Sequence, residues 1–353
     1  MSDQPPLPES SRANVQVLEV CAESQAAYTR FVDGHPAALV TYSLRYRDLL
    51  TELLGCESSY AMATRGDQVV GVMPLMSSHG EVGEVLNSLP YFGSNGGPLV
   101  TSEEAADALL SWYEERVGRD GVAAATVVGN PLSPSQAPRH ELAEDRVAHV
   151  TDLTGPDACD ERVWRMIDGS ARRNVKKTQR LGTLVAVENE AFPELEALHR
   201  AAMGAIGAQA KDPEFFTAVQ RHFRPGEDFD LFVARLDGEP AGALLIFYSA
   251  SAVDYYIPAA SPEHRSAQPM AAVLLAALIQ AAERGLEHWN WGGSRPDQDA
   301  LMRFKAKWGG RPHPYRYWTA VKRPELLDAS PEALLAAYPG FFVVPFAALR
   351  SRS

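Results

Sequence analysis

The sequence predicts an α/β (α+β) protein with two related domains, each a mixed β-sheet flanked by helices. Three observations lead to this fold class. The chain has 353 residues, of which 46% are hydrophobic and 22% are charged, so it can bury two cores of ordinary size. A hairpin pattern occurs twice along the chain. Strand and helix patterns then alternate after the second hairpin, as they do in mixed α/β domains.

The repeated hairpin is the main sign of duplication. Residues 60–75 and 231–246 share an alternating apolar run, an Asp/Gly turn and a second apolar run, and Gly71 and Gly242 hold equivalent places 171 residues apart. Turns that combine Asp with Gly supply the positive φ angles that tight hairpins need. The pattern indicates one domain duplicated, with a more degenerate first copy.

Hydrophobic periodicity and turn residues place the remaining elements. We predict a flexible tail over residues 1–14, a first domain over 15–150 and a second, catalytic domain over 151–353, with a proline-rich connection near 130–154. The apolar segment 339–349 is either a C-terminal strand or a docking surface. Helices are predicted over residues 39–54, 102–117, 192–206, 213–222, 268–284 and 299–307, and strands over 252–257, 287–291 and 315–321.

Charge and cysteine content narrow the function classes. With 33 Lys and Arg against 45 Asp and Glu, the formal charge is −12, which argues against general attraction to nucleic acid or anionic membrane. Three scattered cysteines suggest neither a disulfide framework nor a zinc site. No apolar run approaches the roughly 18 residues of a membrane span, and the polar start is unlike a secretory signal. We therefore expect a cytoplasmic protein with no integral membrane segment and no metal.

Several segments, taken in order, resemble one protein family. They are Ser88-Leu89-Pro90-Tyr91 with Gly96-Gly97, then Ala171-Arg172-Arg173-Asn174-Val175-Lys176-Lys177 with Gly182, then Asn290-Trp291-Gly292-Gly293-Ser294, Arg303-Phe304-Lys305 and Gly309. The chain resembles the Fem-type (FemAB-like) peptidyltransferases, a group of tandem GNAT-fold proteins that includes peptidoglycan interpeptide-bridge enzymes. The resemblance runs from about Val17 to Trp318, and the consistent order of the segments is more specific than any one of them.

The resemblance implies two GNAT-like domains and an aminoacyl group moved from aminoacyl-tRNA to an amine on a cell-wall precursor. The wider family also contains acyltransferases of exopolysaccharide systems and small-molecule biosynthesis, so the acceptor stays open. The sequence has no heptad run for the coiled-coil arm of some members, which removes one tRNA-contacting element. The alternatives are an acyl-CoA-dependent N-acyltransferase and a non-catalytic module that binds a phosphorylated glycan.

A cationic helix is the first candidate for binding. Residues Arg172, Lys176 and Arg180 recur at helical spacing, with Arg173 and Lys177 beside them. Like charges at this spacing repel by a few tenths of a kcal/mol per pair, so the cluster points to a phosphate-bearing partner. That partner is the diphosphate of a nucleotide-linked precursor or a tRNA acceptor stem. The alternative is a solvated helix face.

The second half carries the candidates for chemistry. Aminolysis of an ester needs a neutral amine and a group that stabilises the oxyanion, and Lys305 matches the family's Phe-Lys motif for that role. Its alternative is a salt bridge to Asp297 or Asp299. Asp254 and Tyr256 share one face of a predicted strand, and either can take a proton from the amine. The full set of predicted catalytic residues is Lys305, Asp254, Tyr256 and Ser294.

The remaining predicted binding residues come from loops and strand ends. Gly292 and Gly293 end a short strand where backbone can approach a ligand, and Trp291 and Phe304 accompany them; both Trp residues of this strand are alternatively core. His264 and Arg265 precede a helix that lacks the glycine turn of a CoA cradle, since Pro269 removes one donor there. Three more candidates, Tyr91, Gly96 and Gly97, belong to a glycine-rich loop that the resemblance turns toward the acceptor.

Overall fold

The computed structural model describes residues 14–91, 95–133 and 136–350. The strands are β1 Val15–Glu19, β2 Glu57–Ser58, β3 Ala61–Arg65, β4 Gln68–Met73, β5 Met76–Gly80, β6 Gly83–Asn87, β7 Leu99–Val100, β8 Val122–Val128, β9 Leu142–Asp152, β10 Leu184–Val187, β11 Phe229–Leu236, β12 Glu239–Tyr248, β13 Ala252–Ala260, β14 His288–Ser294 and β15 Arg311–Val321. The helices are α1 Gln25–Gly34, α2 Leu44–Leu54, α3 Glu103–Val117, α4 Cys159–Met166, α5 Gly169–Arg180, α6 Phe192–Gly204, α7 Pro213–His222, α8 Pro269–Glu283, α9 Asp299–Lys307 and α10 Pro331–Ala337.

The strands form one small sheet and one large mixed sheet. The four-stranded sheet has the order β1-β3-β4-β7, and the eleven-stranded sheet has the order β10-β11-β12-β13-β14-β9-β15-β8-β6-β5-β2. Most neighbours are antiparallel, but β6 runs parallel to β8 and β13 runs parallel to β14. The mixed α/β class is therefore confirmed, with helices on the faces of both sheets.

The duplication predicted from the hairpins is visible in strand register. In the first hairpin Ala63 pairs with Gly71 and a bulge follows, and in the second Ala234 pairs with Gly242 and a bulge follows at the same place. A Cβ on either glycine would press into the helix packed on the hairpin, at 2.8 Å from Val100 beside α3 in one copy and 3.2 Å from the start of α8 in the other. Both glycines are needed because a helix lies close against the sheet there.

The copies also correspond after the hairpin, but their buried side chains differ. Each has a 15-residue helix, α3 or α8, followed by a seven-residue strand, β8 or β14, that pairs in parallel with an earlier strand. The third residues of these strands are Ala124 in β8 and Asn290 in β14. Ala124 pairs with Val85, and Asn290 pairs with Asp254. Of the two copies, only the second has polar side chains at this position.

The two copies share a core. The largest apolar cluster contains α1 and α2 side chains such as Tyr28 and Tyr46 together with α7 and β12 side chains such as Phe215 and Phe247. Helix α2 packs directly against α7. A second cluster lies on the opposite face of strands β11–β13 of the large sheet, where α4, α5 and α8 pack. The polar groups at the junction of the copies are therefore buried between two sets of helices.

The segments at the predicted boundaries differ from simple linkers. Strand β9 lies inside the predicted connection and runs through residue 150, pairing with both β14 and β15, while the boundary itself stays a prediction. The apolar segment after α10 is not a strand: it is irregular, and its buried residues include Phe341, Val343 and Leu349. Residues 1–13 of the predicted tail lie outside the described residues. Within the parts of the chain described, no helix is long and apolar enough to cross a membrane.

Candidate active site

A polar cavity lies where two parallel strands separate. Strands β13 and β14 pair only from Ala252 to Asp254 and from His288 to Asn290. Strand β14 stays paired with β9 along its length, with a register shift between Asn290 and Gly293. The backbone of β13 beyond Asp254 thus lacks a strand on that side, and buried N–H and C=O groups need partners. The cavity in this opening measures about 210 Å³ and is lined by Val40, Thr41, Asn95, Lys211, Asp254, Tyr255, Tyr256, Asn290, Gly292 and Gly293.

A larger groove of about 350 Å³ follows α6, but its chemistry is poorer. Its walls are formed by Pro193, Glu194, Ala197, Leu198, Ala201, Pro240 and Ser261. Glu194 is the one charged residue among these mostly apolar side chains, so the groove does not combine an acid with a cation. The smaller cavity combines an acid, an amine and glycine backbone, so we treat it as the candidate site.

Asp254 is a buried carboxylate at the bottom of the strand opening. Its Oδ2 accepts the N–H of Val40 at 3.0 Å, and its Oδ1 accepts from Asn290 Nδ2 at 2.8 Å. Burial raises the pKa of Asp254 to about 6, although these two hydrogen bonds pull it down. A carboxylate with such a pKa is ionised at neutral pH and is a stronger base than an ordinary Asp. The N–H from Val40 belongs to the first half of the chain, so both copies build this group.

The end of β14 is shaped by an asparagine and two glycines. Asn290 Oδ1 accepts the N–H of Gly292 at 3.0 Å, which closes a tight turn with φ of 72° at Gly292. A Cβ on Gly293 would lie 2.0 Å from the hydroxyl oxygen of Tyr315. Gly292 requires the left-handed region and Gly293 requires space, so neither glycine is a mere turn filler. Both line the cavity, where the sequence predicted a substrate loop.

Lys305 lies directly behind this turn, outside the cavity wall. Its Nζ donates to the carbonyls of Gly292 at 2.7 Å and Gly293 at 3.3 Å and to Ser294 Oγ at 2.9 Å. Burial lowers the pKa of Lys305 to about 8. No described carboxylate forms a salt bridge with Lys305, so the alternative of an ion pair with Asp297 or Asp299 is wrong. The structure makes Lys305 a clamp on the glycine turn, with Ser294 bound to it.

Lys211, which the sequence did not single out, points into the cavity from the loop before α7. Its Nζ lies 4.1 Å from the ring centre of Tyr91, 4.6 Å from Phe215 and 5.7 Å from Tyr256. Burial lowers the pKa of this amine to about 8. The three rings come from distant parts of the chain, so no local pattern marks them as one cage. The one sequence property that could have drawn attention to Lys211 is the scarcity of lysine, since the chain has six lysines.

Tyr256 lines the cavity but does not fit the predicted role of proton acceptor. Its hydroxyl lies 3.0 Å from the Tyr46 hydroxyl, and its ring stacks on Phe215. Burial raises the pKa of Tyr256 far above its ordinary value, so the phenol keeps its proton at neutral pH. The predicted faces are confirmed, since Tyr256 joins the shared core and Tyr255 joins the cluster beside α8. Of the two predicted proton acceptors, Asp254 therefore remains the candidate.

The glycine-rich loop of the first copy touches the cavity through Asn95. The Asn95 carbonyl accepts from Thr41 Oγ1 at 2.7 Å, and the Gly96 carbonyl accepts from the Tyr42 hydroxyl at 2.8 Å. A Cβ on Gly96 would clash with Ser88, and Gly97 has φ of 86°, so both predicted glycines are structural requirements. Residues 92–94 of this loop lie outside the described residues. Tyr91 reaches the site as part of the lysine cage.

Two predicted binding residues belong to the core instead. Trp291 is 2% exposed, and its Nε1 donates to Thr151 Oγ1 at 2.8 Å. Phe304 packs edge-on against Trp291 with ring centres 6.1 Å apart. Alternation along β14 turns Trp291 away from the cavity, toward the cluster beside α8. Both residues therefore pack in the core and do not line the cavity, contrary to the predicted substrate contact.

The start of α8 lacks a backbone cradle for phosphates. Gln268 holds the left-handed position that a glycine turn would supply, with φ of 62°, and Pro269 begins the helix. The Gln268 side chain is engaged on both sides, accepting from Asn174 and donating to the Arg265 carbonyl. His264 contacts Ser261 at 3.2 Å, and Arg265 is exposed in a short turn. These two side chains remain candidates for phosphate contact from the surface.

The predicted cationic helix is α5, and it packs against α8. Asp168 caps its first turn by accepting the Ala171 N–H at 2.7 Å. Its exposed cations form no salt bridge with any residue that the structure describes; they are Arg173, Lys176, Lys177 and Arg180, with Arg172 half-buried beside them. The helix that carries these cations is thus joined to the start of α8 through Asn174.

Comparison with known proteins identifies the fold. Residues 169–306 match a family model described as an acetyltransferase (GNAT) domain. The structure is similar to that of FemX, with 15% sequence identity, a TM-score of 0.69, and coverage of 88% of this chain and 98% of that chain. No curated protein sequence matches the chain.

Two further solved structures extend the likeness. One is the C-terminal domain (DUF2156) of a putative lysylphosphatidylglycerol synthetase from Agrobacterium fabrum, at 13% identity and a TM-score of 0.55, covering 92% of this chain and 99% of that one. The other is a tandem GNAT protein from the clavulanic acid biosynthesis pathway, at 14% identity and a TM-score of 0.50, covering 87% and 98%. The chain therefore has a Fem-type tandem GNAT fold.

Proposed function

We propose that the protein is an acyltransferase that forms an amide bond at the opening between β13 and β14. The donor is an aminoacyl-tRNA, and the acceptor is an amine of a cell-wall or natural-product precursor. The observation that carries this proposal is Asp254, a buried carboxylate with a pKa of about 6 that lines the cavity of a GNAT-type acyltransferase fold. The reaction belongs in the cytoplasm, where charged tRNA is made.

The proposed reaction is aminolysis of an ester. The acceptor nitrogen attacks the ester carbonyl, a C–N bond forms, and the C–O bond to the tRNA ribose breaks. Asp254 takes the proton that the nitrogen loses, and this proton passes to the departing ribose oxygen. A well-placed general base contributes about 10²–10⁴-fold to such a step. Backbone N–H groups of β13 that face the opening are suited to hold the oxyanion of the intermediate.

Lys305 supports this chemistry without touching the reacting atoms. Two of its hydrogen bonds hold the carbonyls of Gly292 and Gly293, and the third holds Ser294 Oγ. The same turn positions Asn290, which holds Asp254. We assign Lys305 and Ser294 as positioning residues, in place of the direct catalytic role that the sequence suggested.

The donor assignment rests on the region around α8. The backbone N–H groups of Gln268 and Ala271 are already bonded to carbonyls of the same turn, and Pro269 has no N–H, which disfavours the usual CoA mode. The unpaired cations of α5 can instead contact several phosphates of a polynucleotide. In a chain of charge −12, such a cluster provides the local attraction that the protein as a whole lacks.

The test is an amide-forming assay with purified protein. Labelled charged tRNA is supplied with a panel of amines, and product is scored as label that survives mild base, which cleaves the ester but not an amide. We expect product with the wild type and with the surface control Asp107→Asn, and a loss of at least about a hundredfold with Asp254→Asn. Absence of amide with every tRNA and amine tested would refute the proposal.

A second candidate is acyl-CoA-dependent N-acyltransfer, favoured by the match of residues 169–306 to a GNAT acetyltransferase model. Titration with acetyl-CoA distinguishes the two donors. Stoichiometric binding together with acetylation of an amine would replace the tRNA assignment. Binding of a phosphorylated glycan without transfer from either donor, abolished by charge reversal of Arg173 and Lys177, would instead indicate a non-catalytic module.

A further inference from the structure

The cavity holds one acid and one amine, and only the acid has partners. Asp254 receives two hydrogen bonds, from Val40 and Asn290. Lys211 Nζ faces three aromatic rings, and none of the residues described provides it with an ion pair or a hydrogen bond. An ammonium has three N–H donors, and ring faces attract its charge without supplying an acceptor oxygen. The donors of Lys211 are therefore available to an anion inside the cavity.

The cage also fixes where that anion can sit. Tyr91, Phe215 and Tyr256 surround the ammonium on the side of the shared core, while Lys211 itself lines the cavity. Tyr256 is two residues from Asp254 on β13, and both line the same cavity. An anion held by Lys211 therefore lies in the same small space as a group held by Asp254.

We propose that this cavity recognises an amino acid, either free or at the end of the acceptor, with its amine at Asp254 and its carboxylate at Lys211. The inference rests on the proposed function for the fate of the amine and extends it by naming the acceptor class. The volume of about 210 Å³ fits this class, since it lies below the roughly 300–1,000 Å³ of sites that enclose larger ligands.

Charge complementarity explains why a zwitterion is preferred over a simple amine. An amine without a carboxylate fills the space while Lys211 stays without an acceptor, and a carboxylic acid without an amine leaves Asp254 facing another anion. Hydrogen bonds between charged groups in such surroundings are the strong ones, and leaving a partner unpaired is the larger loss. We expect each missing charge to weaken binding by at least about tenfold.

The experiment measures binding directly and needs no donor. L-alanine, L-alaninamide and propionate are titrated at about pH 7 into the wild type, Lys211→Met, Lys211→Arg and the exposed control Lys322→Met, by calorimetry or ligand-observed NMR. We expect the wild type and the control to bind alanine at least about tenfold more tightly than the other two probes. Lys211→Met should lose the preference for alanine over alaninamide, and Lys211→Arg should retain part of it.

Two outcomes would overturn the inference. The first is a wild type that binds alanine and alaninamide equally or binds no probe at all. This result needs only the wild type, so it counts even if Lys211→Met does not fold. The second is an unchanged preference in folded Lys211→Met. The titration does not depend on transfer. If alanine binds with the expected preference but the amide-forming assay gives no product, only the proposed function is refuted. Amide formation that ignores the acceptor carboxylate would refute this inference alone.

Discussion

The exchange of two side chains, Asp254→Asn with Asn290→Asp, separates the catalytic role of Asp254 from its structural role. In the wild type Asp254 accepts from Val40 and from Asn290, and Asn290 accepts from Gly292. In Asp254→Asn alone, the new amide can satisfy Val40 with its oxygen but then turns its NH₂ toward the NH₂ of Asn290. Flipping Asn290 only moves the conflict to Gly292, so one buried donor always lacks an acceptor.

The double exchange removes that conflict. The new amide at position 254 would accept from Val40 and donate to the new carboxylate at position 290. That carboxylate would accept from both this amide and the N–H of Gly292. An unsatisfied buried donor in Asp254→Asn costs about 1–3 kcal/mol, and Asn290→Asp alone places two carboxylates face to face. The double variant should therefore be more stable than the sum of the two single effects predicts, by at least about that amount. The carboxylate, however, now lies one strand away from its original place.

Urea unfolding and amide-forming turnover are measured on the same four proteins: wild type, both single variants and the double variant. We expect Asp254→Asn to reduce turnover by about 10²–10⁴-fold. The exchange should show the favourable coupling in stability without restoring turnover. Wild-type turnover should fall about tenfold per pH unit below the Asp254 pKa of about 6, because protonation removes the base. Full recovery of activity in the exchange, or a double variant no more stable than the sum of the two single effects predicts, would refute the reasoning.

Three further predictions concern the surroundings of this pair. Gly293→Ala places a methyl group 2.0 Å from the Tyr315 hydroxyl, so it should distort the turn and reduce turnover by at least about tenfold. The exposed control Gly34→Ala has open space around it and should keep its turnover. Equal turnover of the two variants would contradict the required close contact. Lys211 has a folded-state pKa of about 8 against about 10.4 in unfolded chains, so its charge is disfavoured on folding and stability should rise with pH between these values. The unfolding free energy of the wild type should climb about 1 kcal/mol per pH unit faster than that of Lys211→Met between about pH 8.5 and 9.5, and parallel slopes would disprove burial of the cation. Charge reversal of Arg173 and Lys177 together should weaken tRNA binding and lower its salt dependence by roughly one logarithmic slope unit per lost phosphate contact, whereas an unchanged slope would remove α5 from the interface.

Much of the fold followed from local sequence patterns. The hairpins around Gly71 and Gly242 were predictable because turn residues and alternation act over a few positions, and the structure confirms them down to the bulge. Helices α7 and α9 have the predicted ends. The C-terminal segment was not predictable in the same way, because its apolar residues serve tertiary packing: Asn87 receives the Phe342 N–H, which holds the segment without a strand partner.

Sequence patterns could identify only some residues of the candidate site. Asp254 and the glycines of β14 could be selected because strand alternation and positive φ are local properties. The cage around Lys211 joins residues 91, 211, 215 and 256, and the Val40 amide comes from a 3₁₀ turn 214 residues before the carboxylate that it binds. The direction of the Lys305 side chain was not predictable, since it depends on how the α9 helix packs behind β14.

The position of the cavity follows from the divergence of the two copies. Both copies have a parallel pair of strands at the equivalent place, yet the first buries Val85 against Ala124 while the second buries Asp254 beside Asn290. A buried polar pair is stable only if every group is satisfied, and the last acceptor of Asp254 is satisfied by Val40 of the first copy. The first copy fills the equivalent position with an apolar pair, and its Val40 supplies the N–H that the Asp254 carboxylate needs. A second domain separated from the first would leave Asp254 short of one hydrogen bond, so the site belongs to the tandem arrangement and not to either copy alone.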